Sequence, residues 1–314
     1  MIGLRKCTKP PQQRWGPAGT DPVPFGVMGY TCFEIEETEG VAHLILSRPD
    51  ELNSMIPAFW VELPEIVDEL SDSGRTRVLV ISSTGKHFCA GMDLSVFTTG
   101  SNIGNNDGPA TGNTSKEVGR QRAVLRKNVR HLQRTFSCLE EARMPVLAAI
   151  QGGAVGGAVD FVTAADCRYA TDDAWFCIQE INIGMTADVG TLQRLPKLIP
   201  EGVVRELAYT GARMPAARAK EVGLVNEVYA DQETMLSAVH EIAAEIASKS
   251  PLAIQGTKES IIYSRDHSVA ESLDFISLWQ TGMFQPADMM EAFNAQAEKR
   301  DAVFDDLNEQ RRGL

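Results

Sequence analysis

The sequence predicts an α/β fold: a core of about 200 residues that mixes strands and helices, followed by a helical C-terminal region. Two short apolar runs, RVLVISS at 77–83 and PVLAAI at 145–150, are flanked by polar residues, as buried strands often are. Stretches with helical periodicity lie between them, and from about residue 202 the pattern is helical almost to the end. Because no linker separates these parts, we expect one domain with a helical appendix.

The other core elements follow from periodicity and turn residues. Residues 32–47 alternate and then become apolar around Glu39-Gly40, which predicts a β-hairpin. A helix is expected at 55–71, and the Gly-, Asn-, Ser- and Thr-rich segment 100–115 is expected to be a mobile loop. The remaining elements are a long helix at 116–142, a helix at 156–166 after a glycine turn, and a strand at 167–178.

The predicted elements divide the chain into three parts. Residues 1–30 are expected to form a flexible arm, 31–230 the core, and 231–314 the helical region. The arm has no acid before Asp21, but it lacks the apolar segment of a secretory signal. An organelle-targeting role of the arm is the weaker alternative.

Composition argues against several classes of function. The chain has 314 residues and a formal net charge of −12, which disfavours a general nucleic-acid surface. Its uncharged runs are too short to cross a membrane. The six cysteines form no regular framework, so we expect free thiols in a reducing compartment, with the cytoplasm favoured and the mitochondrial matrix as the alternative. The five histidines show no metal-ligand spacing, and no metal is expected.

Two turns that contain glycine follow the predicted buried strands. HFCAGMDL at 87–94 turns at Ala90-Gly91, and QGGAVGGAVD at 151–160 opens a helix at Gly156-Gly157. Glycine lets a ligand approach backbone N–H groups closely, and a helix N-terminus adds unpaired donors. Two such amides converging on one point would form an oxyanion hole. Either turn alone is more often a device for close packing.

Two acids, Glu180 and Asp188, lie in the apolar stretch IQEINIGMTADVGTLQRL at 178–195. An ionised carboxylate among apolar side chains is costly unless it is paired or hydrogen-bonded, and its pKa tends to rise. The stretch has no Lys, and its only Arg, Arg194, comes late. The alternatives to a catalytic role are a structural ion pair for Glu180 and a turn or cap for Asp188.

Four segments match a known family in order: SRPDELNSM at 47–55, GKHFCAGMDL at 85–94, PVLAAIQGGAVGGAVDFVTAADCRYATDDAWF at 145–176 and TGARMPAARAKEVGLVNEVY at 210–229. They resemble the crotonase superfamily, the enoyl-CoA hydratase/isomerase family, from about residue 31 to residue 300. Two further segments, 180–199 and 248–273, are most similar to its Δ3,5-Δ2,4-dienoyl-CoA isomerase subgroup.

The resemblance implies a spiral core of repeated ββα turns and a helical C-terminal region that forms trimers or dimers of trimers. It implies a CoA thioester whose carbonyl oxygen lies between the amides of Ala90 and Gly157. Substrate-binding residues are then Ala90, Gly91, Met92, Asp93, Leu94 and Gly157. Because CoA is part of the substrate, no cofactor is expected.

By the same resemblance, Asp160, Glu180 and Asp188 occupy the three acidic positions of the subgroup. The implied reaction converts 3,5-dienoyl-CoA to 2,4-dienoyl-CoA in fatty-acid β-oxidation. Asp188 would remove a proton at C2, Glu180 would deliver one at C6, and Asp160 would tune or orient the pair. Asp160 also lies in the first turn of a helix, where the dipole favours any acid. Hydration of a 2-enoyl-CoA is the alternative, and a non-catalytic binding protein of the same fold is less expected.

The helical region carries more apolar side chains than a monomer's surface should show, which predicts a homotrimer or a dimer of trimers. These side chains are Leu278, Trp279, Met283, Phe284, Met289, Met290 and Phe293. Three candidates for the basic groups that hold the CoA phosphates are Arg48, Lys86 and the basic helix at 116–134. That helix is more often a solvated face.

Overall fold

The main sheet of the protein has six strands. They were traced in a computed structural model that describes residues 29–93, Val96 and 118–310. In sheet order they are β1 (Phe33–Thr38), β2 (Val41–Leu46), β3 (Val78–Ser83), β4 (Val146–Ile150), β6 (Cys167–Thr171) and β9 (Glu227–Tyr229). Strands β1 and β2 pair antiparallel, which confirms the predicted hairpin, and all other neighbours in this sheet are parallel.

A second, smaller sheet joins β5 (Gly153–Val155), β7 (Trp175–Cys177) and β8 (Met214–Pro215). Strand β5 runs parallel to β7, and β7 runs antiparallel to β8. The strand structure predicted at 167–178 is confirmed as two strands, because the chain turns between β6 and β7 and the two strands join different sheets. The turn is fixed by Thr171, whose Oγ1 donates to Asp173 Oδ1 at 2.5 Å.

Ten α-helices are present in the described ranges: α1 (Phe59–Ser73), α2 (Val118–Glu141), α3 (Gly157–Thr163), α4 (Thr191–Leu198), α5 (Glu201–Thr210), α6 (Ala216–Glu221), α7 (Gln232–Ala247), α8 (Pro251–Ser264), α9 (Val269–Met283) and α10 (Pro286–Glu298). The helix predicted from residue 55 begins later, because Met55 pairs with Met92 as an isolated bridge. The predicted loop 100–115 and the arm up to residue 28 lie outside the described residues.

The central strands are buried on both faces, as their continuous apolar runs predict. On one face of β3, Leu79 and Ile81 join a core that also contains Phe136 and Phe161, whose rings stack with centroids 5.6 Å apart. On the other face, Val78 and Val80 join a separate cluster, to which α7 contributes Met235, Val239, Ala243 and Ala247. The sheet is thus a rigid support for the turns that leave β3 and β4.

The C-terminal helices expose a broad apolar surface. Six of the seven predicted residues are exposed, among them Leu278 at 69% and Phe293 at 58%. Trp279 is the exception, because it packs against Gly256 and its Nε1 donates to Glu259 at 3.0 Å. An apolar cavity of about 540 Å³ lies among α8, α9 and α10.

After α10 the chain returns to the core as an extended tail, residues 301–310. The Leu307 N–H donates to the Gly74 carbonyl at 3.1 Å, and the Gln310 N–H donates to the Asp72 carbonyl at 2.8 Å. Arg77 forms an ion pair with Asp306, with Nη2 2.8 Å from Oδ1. The helical region is therefore attached to the core beyond its last helix.

Candidate active site

The two predicted turns lie side by side. Cys89 pairs with Ala154 as a parallel bridge, which joins the turn after β3 to strand β5. Gly91 has φ +87°, and a β-carbon there would lie 2.6 Å from the Val155 carbonyl oxygen and 3.6 Å from Gly157 N. Only glycine allows both this conformation and this close approach. The convergence that the sequence predicts for the turns is therefore present.

The predicted Ala90 donor is wrong, because its N–H is already used. It donates to the Leu52 carbonyl at 3.0 Å. The Met92 N–H is the donor at this turn instead. Met92 forms a bridge with Met55, in which the Met55 N–H donates to the Gly91 carbonyl at 2.8 Å. In the same bridge the Asp93 N–H donates to the Met55 carbonyl at 3.1 Å. Since N–H directions alternate along an extended chain, the Met92 N–H points away from Met55.

Two amides are thus available at the turns. Among the hydrogen bonds of the described residues, neither the Met92 N–H nor the Gly157 N–H has a partner. Gly157 is the first residue of α3, where a backbone N–H has no acceptor within the helix. A β-carbon at Gly157 would lie 3.1 Å from Met55 Sδ, so Met55 packs below both donors. The pair has the character of an oxyanion hole.

The other predicted substrate-binding residues surround these donors. Asp93 accepts a hydrogen bond from Ser54 Oγ at 2.8 Å, which fixes the end of the turn. Leu94 lies outside the described residues.

Asp160 is fully buried in α3. Its Oδ1 accepts the Thr191 N–H at 2.5 Å, while its Oδ2 has no partner among the described residues. Burial and then the charge of Glu180 raise the pKa of Asp160 to about 7, and the hydrogen bond from Thr191 opposes this shift. The acid is therefore poised near neutrality rather than permanently ionised.

Glu180 lies in a 3-10 turn, Gln179–Ile183, directly beside the second glycine turn. Its Oε1 is 3.1 Å from the position that a β-carbon at Gly156 would occupy. Its Oε2 is buried and has no partner in the described part of the chain. Burial and the charge of Asp188 raise its pKa, while a hydrogen bond from its own N–H opposes the shift. Among the described residues Glu180 forms no ion pair, so a structural ion pair with a distant Arg is not met there, and Arg194 pairs with Glu140.

Asp188 is exposed to solvent between the buried residues Ala187 and Val189. Despite the exposure, desolvation by the surrounding protein raises its pKa. Its carbonyl accepts a hydrogen bond from Gln133 Nε2 at 2.8 Å. Because Asp188 raises the pKa of Glu180, and Glu180 that of Asp160, the three acids form an electrostatic series along one site.

The basic candidates for the CoA phosphates are differently placed. Arg134 in α2 forms an ion pair with Asp68, with Nη2 2.9 Å from Oδ1. Arg48 Nη1 donates to the Ser54 carbonyl at 2.8 Å. Lys86 is exposed at the start of that turn. Lys116 lies outside the described residues.

Within residues 29–93, Val96 and 118–310, the other features considered for function are membrane spans, metal sites and cysteines. No helix in these ranges is long and apolar enough to span a bilayer. No group of three or more His, Cys, Asp or Glu side chains there is arranged to hold a metal ion. Five of the six cysteines lie in the described ranges and are free, whereas Cys7 lies outside them.

Comparisons with known proteins identify the family. The model of the enoyl-CoA hydratase/isomerase family matches residues 36–308. The mitochondrial Δ3,5-Δ2,4-dienoyl-CoA isomerase of Rattus norvegicus is 43% identical over 284 residues, which cover 89% of this chain and 84% of the relative. The peroxisomal isomerase of Arabidopsis thaliana is 38% identical over 84% of this chain and 92% of the relative. A solved enoyl-CoA hydratase from Bacillus anthracis superposes with a TM-score of 0.75 at 29% identity, over 87% of this chain and 99% of that one.

Proposed function

Because this chain belongs to the enoyl-CoA hydratase/isomerase family, we propose that it is a Δ3,5-Δ2,4-dienoyl-CoA isomerase of fatty-acid β-oxidation. Such an enzyme moves two conjugated double bonds along the acyl chain of a CoA thioester. The net change is one proton removed at C2 and one proton added at C6, so no water is consumed. The only cofactor-like group that this reaction uses is the CoA of the substrate.

The oxyanion hole consists of the amides of Met92 and Gly157. Removal of the C2 proton leaves a dienolate, whose negative charge develops on the thioester oxygen. Two backbone donors aimed at this oxygen stabilise it by roughly 3 kcal/mol each. The assignment of the oxyanion hole rests on these two N–H groups, which lack partners in the described residues and lie on adjacent turns.

Asp188 acts as the C2 base and Glu180 as the C6 acid. A base must be ionised and an acid protonated at the same pH, so their environments must differ. Asp188 is exposed, which favours its ionised form, whereas Glu180 has a buried carboxyl oxygen. An ionised Asp188 also raises the pKa of Glu180 and so helps it to keep its proton. After each turnover a proton must pass from Asp188 back to Glu180.

The third acid is the single observation that carries the isomerase assignment. Activation of water needs one pair of acids, and Asp160 with Glu180 would suffice. Asp188 is electrostatically coupled to Glu180 and has a raised pKa. A two-site proton transfer along an acyl chain uses this additional acid, and hydration does not.

The decisive experiment supplies wild-type protein with a 3,5-dienoyl-CoA and follows absorbance of the 2,4-diene. In deuterated water the product should carry label at C6, and Glu180→Gln should suppress that incorporation. Simple 2-enoyl-CoA should be hydrated slowly. Fast hydration of crotonyl-CoA with no diene conversion would overturn the assignment.

Hydration remains the second candidate for a specific reason. Asp160 and Glu180 each have a buried carboxyl oxygen without a partner in the described residues, and such a pair could hold a water molecule. The same two assays separate the candidates, since only hydration gives a 3-hydroxyacyl product.

The protein is also proposed to form a homotrimer or a dimer of trimers. Leu278, Met283 and Phe293 are each more than half exposed on the C-terminal helices, and such an apolar surface is unusual for a monomer. Light scattering at micromolar concentration should give three or six copies. A monomer at that concentration would contradict the proposal.

The compartment is proposed from the relatives. Their names place them in mitochondria or peroxisomes, which favours the mitochondrial alternative over the cytoplasm that cysteine usage predicts. Imaging of the full-length protein fused at its C-terminus to a fluorescent protein would test this, and diffuse cytoplasmic signal would contradict it.

A further inference from the structure

We propose that Gln133 and Arg194 are positioning residues for Asp188, acting through the backbone of the segment that carries this base. The inference rests on the proposed isomerase function, in which Asp188 removes the C2 proton. Neither residue belongs to the motifs of the two turns, and α2, which carries Gln133, contributes no acid to the site.

Two neighbouring carbonyl groups are held from two different helices. Gln133 Nε2 in α2 donates to the Asp188 carbonyl at 2.8 Å. Arg194 Nη1 in α4 lies 3.4 Å from the Val189 carbonyl, its acceptor. The hydrogen bond from Thr191 to Asp160 holds the C-terminal end of the segment. The two peptides that directly follow the base are therefore fixed from outside.

Arg194 is itself held rigidly. Gly190 has φ +142°, and a β-carbon there would lie 1.8 Å from Arg194 Nη1, so the Nη1 end of the guanidinium lies against the glycine. Its Nε donates to Glu140 Oε2 at 2.8 Å, and Arg265 Nη2 pairs with the other oxygen of Glu140 at 2.8 Å. The Arg194 and Glu140 side chains are only 11% and 19% exposed. A largely buried pair shared by two cations is ordered, unlike a surface ion pair.

Asp188 needs this external support because its own side chain is exposed. Moreover, a polar cavity of about 390 Å³ lies between α2, α4 and α8, directly behind the segment. Gln133 and Arg194 line this cavity, so their loss would leave the segment room to shift. A displacement of about 1 Å in a catalytic group can cost on the order of 10²-fold in rate.

The test compares Gln133→Leu with the matched control Gln193→Leu. Leucine has nearly the shape of glutamine but no donor. Gln193 lines the same cavity, and its side chain makes no hydrogen bond among the described residues. For Gln133→Leu we expect kcat on 3,5-dienoyl-CoA to fall by about 10- to 100-fold with KM nearly unchanged. The kinetic isotope effect of C2-deuterated substrate should rise, because C2 proton removal becomes slower. Gln133→Lys, which keeps a donor, should recover part of kcat.

A second readout does not depend on activity. Hydrogen–deuterium exchange of the peptide that contains residues 186–192 should accelerate in Gln133→Leu and stay unchanged in Gln193→Leu. If wild-type protein fails to convert the diene, the proposed function fails, while this exchange still reports whether Gln133 holds the segment. Equal exchange, equal kcat and an equal isotope effect in the two leucine variants would overturn the inference. A loss of kcat that follows a lowered Tm, with no rise in the isotope effect, would overturn it as well.

Discussion

Asp160 accepts the Thr191 N–H at 2.5 Å through one carboxyl oxygen, while the other is buried without a partner in the described residues. Burial raises the pKa of this acid from 3.8 to about 7. As pH rises above about 4, the unfolded chain loses this proton before the folded protein does. Stability is therefore lost between these two pKa values, by an amount on the order of 4 kcal/mol.

Asp160→Asn should remove this penalty, because asparagine still accepts the Thr191 N–H but never ionises. The variant should gain more free energy of unfolding at pH 8 than at pH 5, by about 2–3 kcal/mol. Urea unfolding at both pH values measures the difference. The exposed Asp274→Asn serves as the control for the change of side chain. A gain of equal size at pH 5 and pH 8 would contradict the assignment of a raised pKa.

Asp188→Asn should abolish the C2 base without disturbing the fold, because the side chain is exposed and Gln133 binds only its carbonyl. Turnover of 3,5-dienoyl-CoA should fall by at least ~10²-fold, the low end for a positioned base. CoA binding, measured by calorimetry, should stay nearly intact. Near-wild-type turnover would remove Asp188 from the mechanism.

Gly91→Ala should misplace the Met92 amide. The new methyl group would meet the Val155 carbonyl at 2.6 Å, and alanine is strained at φ +87°. Loss of one oxyanion donor typically lowers kcat by about 10²–10³-fold. Gly202→Ala is the matched control, since a β-carbon there has no neighbour within 4 Å. It lies in α5 and should leave kcat unchanged. Equal rates in the two alanine variants would exclude Met92 as a donor.

Lys258→Met should destabilise the fold. Lys258 is buried in α8, where its Nζ pairs with Asp166 at 2.9 Å and donates to the carbonyls of Leu139 and Met144 at 2.6 and 2.9 Å. Removal of one partner from a buried ion pair costs roughly 3–5 kcal/mol. Urea unfolding should show this loss, whereas the exposed Lys249→Met should cost less than about 1 kcal/mol. Comparable losses in both variants would contradict the buried pair.

Local sequence patterns predict the hairpin, the buried strands β3 and β4, the two turns and the acids as residue types, but not the donor at the first turn. Gly91 marks the turn correctly because its φ and its contact with Val155 both require glycine. Which amide faces the substrate depends on the register between Met55 and Met92, which is a tertiary contact. A shift of one residue reverses the direction of every N–H. The sequence therefore cannot distinguish the Ala90 amide from the Met92 amide as the donor, and the structure excludes Ala90.

Local sequence patterns also do not predict the contacts that the helices behind the site make with the segment of Asp188. Arg194 stands out in sequence as the only Arg of an apolar stretch, yet its partner Glu140 lies 54 positions away. Gln133 lies among the basic residues of α2 and shows no pattern of its own. Contacts over such separations depend on how α2, α4 and α8 pack, which periodicity does not reveal.

The contacts of the returning tail attach the C-terminal helices to the core at both ends, so that these helices cannot swing as an arm hinged at one end. Lys258 attaches α8 to the core, and after α10 residues 306–310 rejoin the core at Asp72, Gly74 and Arg77. A loop with both ends fastened loses far less entropy on docking than an arm hinged at one end. The exposed apolar faces of α9 and α10 are thus presented in a preset orientation, and the contacts of the proposed trimer should need little rearrangement of these surfaces.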